Sequence, residues 1–266
     1  LHDGRQAPAR PGAGGGCRSC GGPPPTLDNP ALLEGLPAEL GDRLRRFVEH
    51  PRVAMMRDDA RNRLAKLLYR ALKLREEVGD TAVARFVDWV EPLLRRDSYL
   101  ALLAERPEVL ARLLHLLGLA RWPMRYLMRH PGVIDELADP RLLHERFSRE
   151  DFLRDLEERH QAWARSGQAD EESLLDTLRR AHHAETFRTL VRDVEGDLQV
   201  EQVADDLSAL ADATLDATLR WAWGHLRQRH RDAPAFAVIA YGKLGGKELG
   251  YGSDLDVVFL HDDDDD

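Results

Sequence analysis

The sequence has little cysteine, few aromatic residues and no long apolar run. Two of its 266 residues are cysteines, and Phe, Trp and Tyr together account for 6%. So little cysteine fits a reducing cytoplasm, which is where we expect the protein to work. No apolar run approaches the roughly 18 residues needed to cross a bilayer, so we expect no transmembrane helix and no membrane partner.

The two cysteines, Cys17 and Cys20, form a C-x-x-C pair in the segment GGGCRSCGG. Such a pair is half of a zinc site or a redox motif. No second C-x-x-C or nearby Cys-His pair completes four zinc ligands, and no strand–helix context supports redox chemistry. We therefore interpret residues 1–26, rich in Gly, Pro and Ala, as a disordered, low-complexity segment that carries two thiols.

Positive charge is also scarce: 38 Lys and Arg against 47 Asp and Glu give a formal net charge of −9. This balance disfavours non-specific binding to nucleic acid, so no nucleic-acid partner is expected. The chain does not begin with Met and stops just after a strand-like segment, so we expect a fragment of a longer protein. The acidic run Asp262–Asp266 is interpreted as a solvated loop rather than a metal site.

Helical periodicity dominates the chain from about residue 30. Residues 27–140 are predicted to form a helical linker region, and residues 141–231 a helical bundle. A Gly79-Asp80 break separates two helices, and Pro92 should end or kink the second. Apolar residues recur at one-face spacing in these two helices: Leu64, Leu67, Leu68, Ala71 and Leu72, then Val83, Phe86, Val87, Val90 and Leu94.

Prolines mark two further helix starts. The pattern P-x-V-[LI]-x-x-L occurs at Pro107 and again at Pro131. Each copy is predicted to open a short helix, because proline is tolerated in the first turn. Later helices are predicted over residues 148–165, 170–195 and 200–230, whose broad apolar faces suit a bundle core.

The period changes near residue 232, where a last, incomplete domain (232–266) is predicted to begin. Residues 235–242 (AFAVIAYG) and 254–260 (DLDVVFL) are apolar, partly β-branched runs of the kind found in buried strands. The sequence therefore predicts a mainly α fold, in which a helical bundle is followed by the truncated start of an α/β or α+β domain.

Asp254 and Asp256 are the strongest candidates for chemistry. Side chains alternate along a strand, so two carboxylates separated by one residue would point the same way. Neighbouring carboxylates suit one or two Mg²⁺ ions, which also bind substrate phosphates. We therefore predict that Asp254 and Asp256 are catalytic and bind metal.

A basic, glycine-rich loop precedes these aspartates. Its glycines would let the backbone approach phosphates closely. Ser253 is placed either to donate to a phosphate oxygen or to cap a turn, and Lys247 is either a phosphate contact or a solubilising charge. The spacing matches neither G-x-x-x-x-G-K-[ST] nor G-x-G-x-x-G. The residues predicted to bind nucleotide are Gly242, Lys243, Gly245, Gly246 and Ser253.

A glycine loop, then Ser-Asp-x-Asp, then an apolar strand is typical of nucleotidyltransferases of the DNA polymerase β type. The stretch FAVIAYGKLGGKELGYGSDLDVVFLHD (236–262) closely resembles the signature of the bacterial glutamine synthetase adenylyltransferase/adenylyl-removing family. Upstream, DSYLALLAERPEVLARLLHLL and MRHPGVIDELADPRLL are similar to the helices before that family's second nucleotidyltransferase half. The resemblance covers roughly residues 30–262.

The resemblance implies a DNA polymerase β-like α+β domain that moves AMP from ATP to a tyrosine of glutamine synthetase. It also implies Mg²⁺ as cofactor and regulation by the nitrogen-signalling PII protein and by glutamine. AYGKLGG and ELGYGSDLD are similar to the attaching half, which implies metal binding by Asp254 and Asp256 and phosphate contacts by the Gly245-Gly246 loop and Ser253.

The family pattern further implies a third carboxylate on a later strand. Asp262 is not its match, since six residues of strand beyond Asp256 span about 20 Å. We therefore expect the fragment alone to be catalytically incomplete. Two alternatives stay open: the adenylyl-removing, phosphorolytic half of the same enzyme, and a non-catalytic helical docking fragment.

Overall fold

A computed structural model describes residues 26–29, 32–139, 144–167, 170–229 and 231–262 of the chain. The predicted disordered segment, with Cys17 and Cys20, lies outside the described residues apart from Thr26, and so do the last four acids of the C-terminal run. Over the described ranges the fold is mainly α, as predicted, with a two-stranded sheet after the helices.

The helices form two groups. In chain order the first is α1 (Ala38–Val48), α2 (Pro51–Ala54), α3 (Asp58–Lys73), α4 (Arg75–Val78), α5 (Asp80–Val90), a 3₁₀ turn (Glu91–Leu93), α6 (Asp97–Glu105), α7 (Pro107–Leu119), α8 (Trp122–Arg129) and a 3₁₀ segment (Pro131–Ala138). The second is α9 (Arg149–Ser166), α10 (Glu171–Glu195) and α11 (Val200–His225).

The first group surrounds one large apolar cluster. Helices α5 and α7 lie against each other within it, and Trp89 and Leu113 are fully buried. Proline sets two helix boundaries there: α5 ends at Val90, ahead of Pro92, and α7 begins at Pro107. Proline fits a first helical position because its missing N–H has no partner to lose there. Both boundaries confirm the predictions.

The second group is a three-helix bundle with its own core. Ser148 Oγ accepts a hydrogen bond from the Asp151 N–H at 3.2 Å, and Asp170 Oδ1 accepts one from the Ser173 N–H at 2.7 Å. These side chains cap the starts of α9 and α10. The core of the bundle consists of Phe152, Leu156, Leu174, Leu178, Leu210, Ala213, Ala217 and Trp221.

Helix α10 belongs to both groups. Its N-terminal half packs in the bundle, whereas Phe187, Leu190 and Val191 of its C-terminal half join the first cluster. The helix ends at Gly196, which has a φ of 83°. Glycine is favoured at this left-handed position because a Cβ is disfavoured there. Its C-terminal turns therefore lie where the two cores meet.

Two predicted helices differ from the structure. The segment that begins at Pro131 is a 3₁₀ helix rather than an α-helix; Gly132, a poor helix former, follows directly in its first turn. Helix α11 ends at His225, five residues before the predicted limit. Leu226 is already extended (φ −64°, ψ 129°), and Gly224 weakens the last turn.

The strands β1 (Phe236–Ala240) and β2 (Val257–His261) pair in antiparallel fashion. Phe236 lies opposite His261, and Ala240 lies opposite Val257. The prediction of two strands in this part of the chain is confirmed, although both are shorter than expected.

The prediction that these strands are buried is wrong. The exposed fractions of Ile239, Val258 and Phe259 are 39%, 46% and 59%. In the described part of the chain the sheet has two strands, and from it Ala240 and Val257 pack against the small apolar cluster at the start of α11. The other apolar side chains of the two strands therefore remain largely exposed to solvent.

Nothing in these contacts tests the predicted domain boundaries at residues 140 and 231, which stay predictions. Among the described helices, none combines the length and the apolar character that crossing a membrane requires.

Candidate active site

The chain leaves β1 through a single helical turn, α12 (Gly242–Gly245), where the sequence predicted a flexible loop. Gly242 has a φ of 54°, a conformation that glycine adopts without a steric penalty. The N–H groups of Gly245 and Gly246 donate to Tyr241 O and Gly242 O, both at 3.0 Å. These two N–H groups are therefore used inside the turn rather than directed outward.

Lys247 closes this turn in a left-handed conformation, with a φ of 55°. Its N–H donates to Leu244 O at 3.1 Å, and the Glu248 N–H donates to Lys243 O at 2.7 Å. The two bonds form a Schellman C-cap, a position where glycine is usual. Lys243 and Lys247 are both exposed, so their ammonium groups are accessible from solvent.

Asp256 lies directly against Gly242. The Tyr241 N–H donates to Asp256 O at 2.8 Å, which continues the strand pairing one step beyond β2. A Cβ added at Gly242 would overlap Asp256 Oδ2 and lie 3.3 Å from its Cγ. The structure thus brings together a residue predicted to bind nucleotide and a residue predicted to bind metal.

Asp254 and Asp256 precede β2 rather than lie in it. Strand β2 begins at Val257, so the prediction of a strand over residues 254–260 is wrong for its first three residues. The opposite chain turns into α12 after Tyr241, which leaves Asp254 without a pairing partner in the sheet. The position of Asp254 is therefore set by the preceding loop and not by strand alternation, whereas Asp256 is also held by the bond from the Tyr241 N–H.

Both carboxylates are open to solvent. Asp254 and Asp256 are exposed, and within the described ranges neither side chain makes a hydrogen bond or ion pair. Asp262, by contrast, follows β2 at its far end and its N–H donates to Ala235 O at 2.9 Å. Of these acids, Asp256 is the one that lies against the glycine turn, and Asp254 precedes it by two residues.

Ser253 caps a turn just before the aspartates. Its Oγ accepts a hydrogen bond from the Gly250 N–H at 3.0 Å, and its own N–H donates to Gly250 O at 3.1 Å. This is one of the two roles predicted for Ser253. A hydroxyl that accepts one bond still has a proton to donate, so the phosphate role stays a prediction.

Two leucines anchor the loop on the helices. Leu244 and Leu249 are 4% and 6% exposed, although they lie in a stretch rich in glycine and charge. Burying apolar side chains of this size stabilises the docked loop by about 1.5–3 kcal/mol each. Their apolar neighbours in this small cluster are Leu198, Val203, Leu207 and Ala211.

Tyr251 is a third anchor. Its hydroxyl donates to Asp193 Oδ2 of α10 at 2.9 Å, and its ring centre lies 5.5 Å from that of Trp122. Burial, together with the neighbouring Asp193 carboxylate, raises the pKa of Tyr251, which keeps the hydroxyl protonated as a donor. None of these three anchors was predicted from the sequence. The signal in the sequence was the recurrence of leucine and tyrosine within a polar, glycine-rich loop, which indicates side chains that pack against the rest of the protein.

The residues present suit a hard divalent cation. Carboxylate oxygens are the ligands that Mg²⁺ prefers, and it commonly takes one or two of them with substrate phosphates. Within the described ranges the carboxylates of Asp254 and Asp256 have no internal partner, and the absence of a side chain at Gly242 leaves the space that the Asp256 carboxylate occupies. A metal and a phosphate could be held together at this position.

A second group of potential ligand atoms lies where α10 meets α11. One ligand atom from each of His144, Glu195 and Asp197 lies within 4.8 Å of the other two. His144 Nδ1 is 3.3 Å from Asp197 Oδ2. No role was predicted for these residues from the sequence, and the group includes neither Asp254 nor Asp256.

Comparison with known proteins identifies the family. The family profile described as glutamate-ammonia ligase adenylyltransferase matches residues 110–266, more than half of the chain. The chain belongs to this family. The match includes α12, both aspartates and β2, as well as helices α8 to α11, so the family assignment covers the site together with the helices that hold it.

Relatives in the family extend the likeness over most of the chain. A bifunctional glutamine synthetase adenylyltransferase/adenylyl-removing enzyme of Ralstonia nicotianae is 46% identical over 226 residues, 84% of this chain and 23% of the relative. Enzymes of the same name from Burkholderia mallei and Bordetella bronchiseptica are 45% and 40% identical over 86% and 88% of this chain. The chain spans about a quarter of the length of these relatives.

Proposed function

We propose that the full-length protein containing this chain transfers AMP from ATP to a tyrosine hydroxyl of glutamine synthetase. The observation that carries the proposal is the two exposed carboxylates of Asp254 and Asp256, the second of which lies against Gly242. The names of the relatives, which describe adenylyltransferase and adenylyl-removing activities on glutamine synthetase, support it.

In the proposed reaction, the tyrosine oxygen attacks the α-phosphorus of ATP. A new P–O bond forms, the bond from the α-phosphorus to the bridging oxygen of pyrophosphate breaks, and the hydroxyl proton passes to a base. Asp254 and Asp256 would hold Mg²⁺, which when bound neutralises the charge that develops on the phosphates. No base is assigned among the described residues.

The chain's own groups would orient the nucleotide. Ser253 can donate its hydroxyl proton to a phosphate oxygen while it caps the turn. Lys243 lies in the short helix and Lys247 follows it, and their exposed ammonium groups would attract the polyphosphate. The N–H groups of Gly245 and Gly246 would contact phosphate only if the turn opened, because they donate within it.

We propose glutamine synthetase as the protein substrate, the nitrogen-signalling PII protein as a regulatory partner and the cytoplasm as the location. The family resemblance supports these proposals. The net charge of −9 also disfavours a nucleic-acid substrate for this nucleotidyltransferase.

The test is labelling of glutamine synthetase from ATP that carries ³²P at the α-phosphate, with Mg²⁺ and the full-length protein. The double variant Asp254→Asn plus Asp256→Asn should abolish labelling. A matched control, Asp58→Asn plus Asp59→Asn, changes two exposed aspartates at the start of α3 and should label normally.

The same variants distinguish the direction of the reaction. Phosphate-dependent removal of AMP from adenylylated glutamine synthetase should survive the Asp254 and Asp256 substitutions. If the double variant lost AMP removal but still labelled glutamine synthetase, the proposal would be overturned in favour of the adenylyl-removing half. If the double variant kept both activities, Asp254 and Asp256 would have no catalytic role.

A further inference from the structure

The loop that carries the two aspartates is held by helices from both cores. Leu244 and Leu249 pack on the first turns of α11. Tyr251 extends the attachment to two other helices, since it contacts Trp122 of α8 and Asp193 of α10. The segment 241–256 is therefore docked along its length rather than hinged at one end.

Asp193 is in an unusual place for a carboxylate. It lies in the last turn of α10, which ends at Glu195. The partial negative charge of a helix C-terminus disfavours an acid there. The hydrogen bond from Tyr251 compensates, because it supplies a donor to Asp193 Oδ2 at 2.9 Å. The pairing accounts for an aspartate at a position that helix formation alone does not favour.

Tyr251 is close in sequence to the reacting groups. It lies between the two ends of the Gly250–Ser253 turn, in which Ser253 Oγ and N–H both bond to Gly250. Asp254 follows at once. A displacement of the Tyr251 ring would therefore also move Ser253 and Asp254, because one short, hydrogen-bonded turn connects them.

We propose that Tyr251 is a positioning residue for AMP transfer: its bond to Asp193 and its ring contact with Trp122 fix the orientation of Ser253 and Asp254. This role rests on the proposed function. Tyr251 itself touches neither nucleotide nor metal in this scheme; it acts through the segment that does. Such positioning affects the transition state most, because misplaced ligands mainly slow the chemical step.

The test compares Tyr251→Phe with wild type in the full-length protein. The variant keeps the ring contact and loses the donor, and we expect kcat for labelling to fall about tenfold, with the KM for ATP changed less than about twofold. Asp193→Asn keeps an acceptor for the tyrosine and should retain near wild-type kcat, whereas Asp193→Leu should match Tyr251→Phe. The double variant Tyr251→Phe plus Asp193→Leu should be no slower than either single variant.

A matched control is Tyr69→Phe, which removes the hydroxyl of a tyrosine on α3 that is 43% exposed, and should leave both constants unchanged. Trypsin cleavage after Lys247 gives a readout that does not depend on activity: it should accelerate in Tyr251→Phe and not in Tyr69→Phe.

Wild-type kcat in Tyr251→Phe, or an Asp193→Asn variant as slow as Asp193→Leu, would overturn the positioning role while leaving the proposed function intact. Normal labelling by the Asp254→Asn plus Asp256→Asn variant would overturn both. The two failures are thus distinguishable within one set of assays.

Discussion

The carboxylate of Asp256 occupies the space beside Gly242 that a side chain at that position would fill. Gly242 also has a φ of 54°, so a larger residue is disfavoured twice, by the backbone and by the neighbouring acid. This contact links the turn proposed to bind nucleotide to the proposed metal ligand and gives the first prediction.

Gly242→Ala should reduce AMP transfer about a hundredfold in the full-length protein, because its methyl group would push Asp256 aside and a shift of about 1 Å in a catalytic group has that effect. The measurement is kcat for labelling, with a circular dichroism spectrum to check folding. Gly224→Ala in α11, where a Cβ meets nothing within 4 Å, is the control and should retain activity. Full activity in Gly242→Ala would show that Asp256 does not need its present position.

Substitution of Lys247 can distinguish the two roles predicted for its charge, a phosphate contact and a solubilising surface charge. Because its φ is 55°, Lys247→Gly should preserve the C-cap while removing the ammonium group. If the lysine contacts phosphate, the KM for ATP should rise about fivefold, the scale of one exposed ion pair. Lys247→Arg keeps the charge and should behave as wild type. An unchanged KM in Lys247→Gly would assign Lys247 a solubilising role.

The helices could be predicted from local sequence, and the site only in part. Proline at 107 and the break before Asp80 define helix starts through backbone chemistry that needs no tertiary contact. The start of β2 could not be predicted, because it depends on where the facing chain turns into α12. The anchoring of Tyr251 on Asp193, 58 residues earlier, depends on packing between distant segments.

A buried arginine without full pairing gives a prediction about stability. Arg192 is 1% exposed, and its Nε and Nη1 have no hydrogen-bond partner in the described structure; its Nη2 donates to Thr189 Oγ1 at 3.0 Å. Burial lowers the pKa of Arg192, as expected for a charge kept from water. Arg192→Met should therefore raise the free energy of unfolding by about 1 kcal/mol, since an apolar side chain removes the desolvation penalty.

Arg188, one turn earlier, is the matched contrast. It bonds Glu136 Oε2 at 2.6 Å and also pairs with Glu185, and both carboxylates are less than 20% exposed. Arg188→Met would remove the ion-pair partner of two largely buried acids, leaving Glu185 only the nearby charge of Arg192, and should lower the free energy of unfolding by about 3 kcal/mol. Urea unfolding of both variants measures the difference. Equal destabilisation by the two substitutions would contradict the assignment of Arg192 as poorly paired.

The adjacent, tilted rings of His130 and His183, whose centres are 3.7 Å apart, predict a pH dependence of stability. Burial, with the nearby positive charges of His130, His182 and Arg179, lowers the pKa of His183 to about 4. The unfolded chain would bind this proton near pH 6.5. Between pH 6.5 and 4 the unfolded state therefore holds more protons than the folded one, so stability should fall as the pH is lowered through this range.

His183→Phe keeps a ring against His130 and removes the titration, so its stability should fall less steeply with acid than that of wild type. Thermal unfolding measured at intervals from pH 7 to pH 4 gives a curve of stability against pH for each protein. In the difference between the two curves, the contribution of the carboxylates that titrate in both proteins cancels. His115→Phe, on the exposed surface of α7, controls for the loss of one histidine and should leave the slope unchanged. Parallel curves for wild type and His183→Phe would contradict the prediction, because they would mean that His183 binds a proton as readily in the folded protein as in the unfolded chain. The position of His183 against His130, His182 and Tyr126 should prevent this.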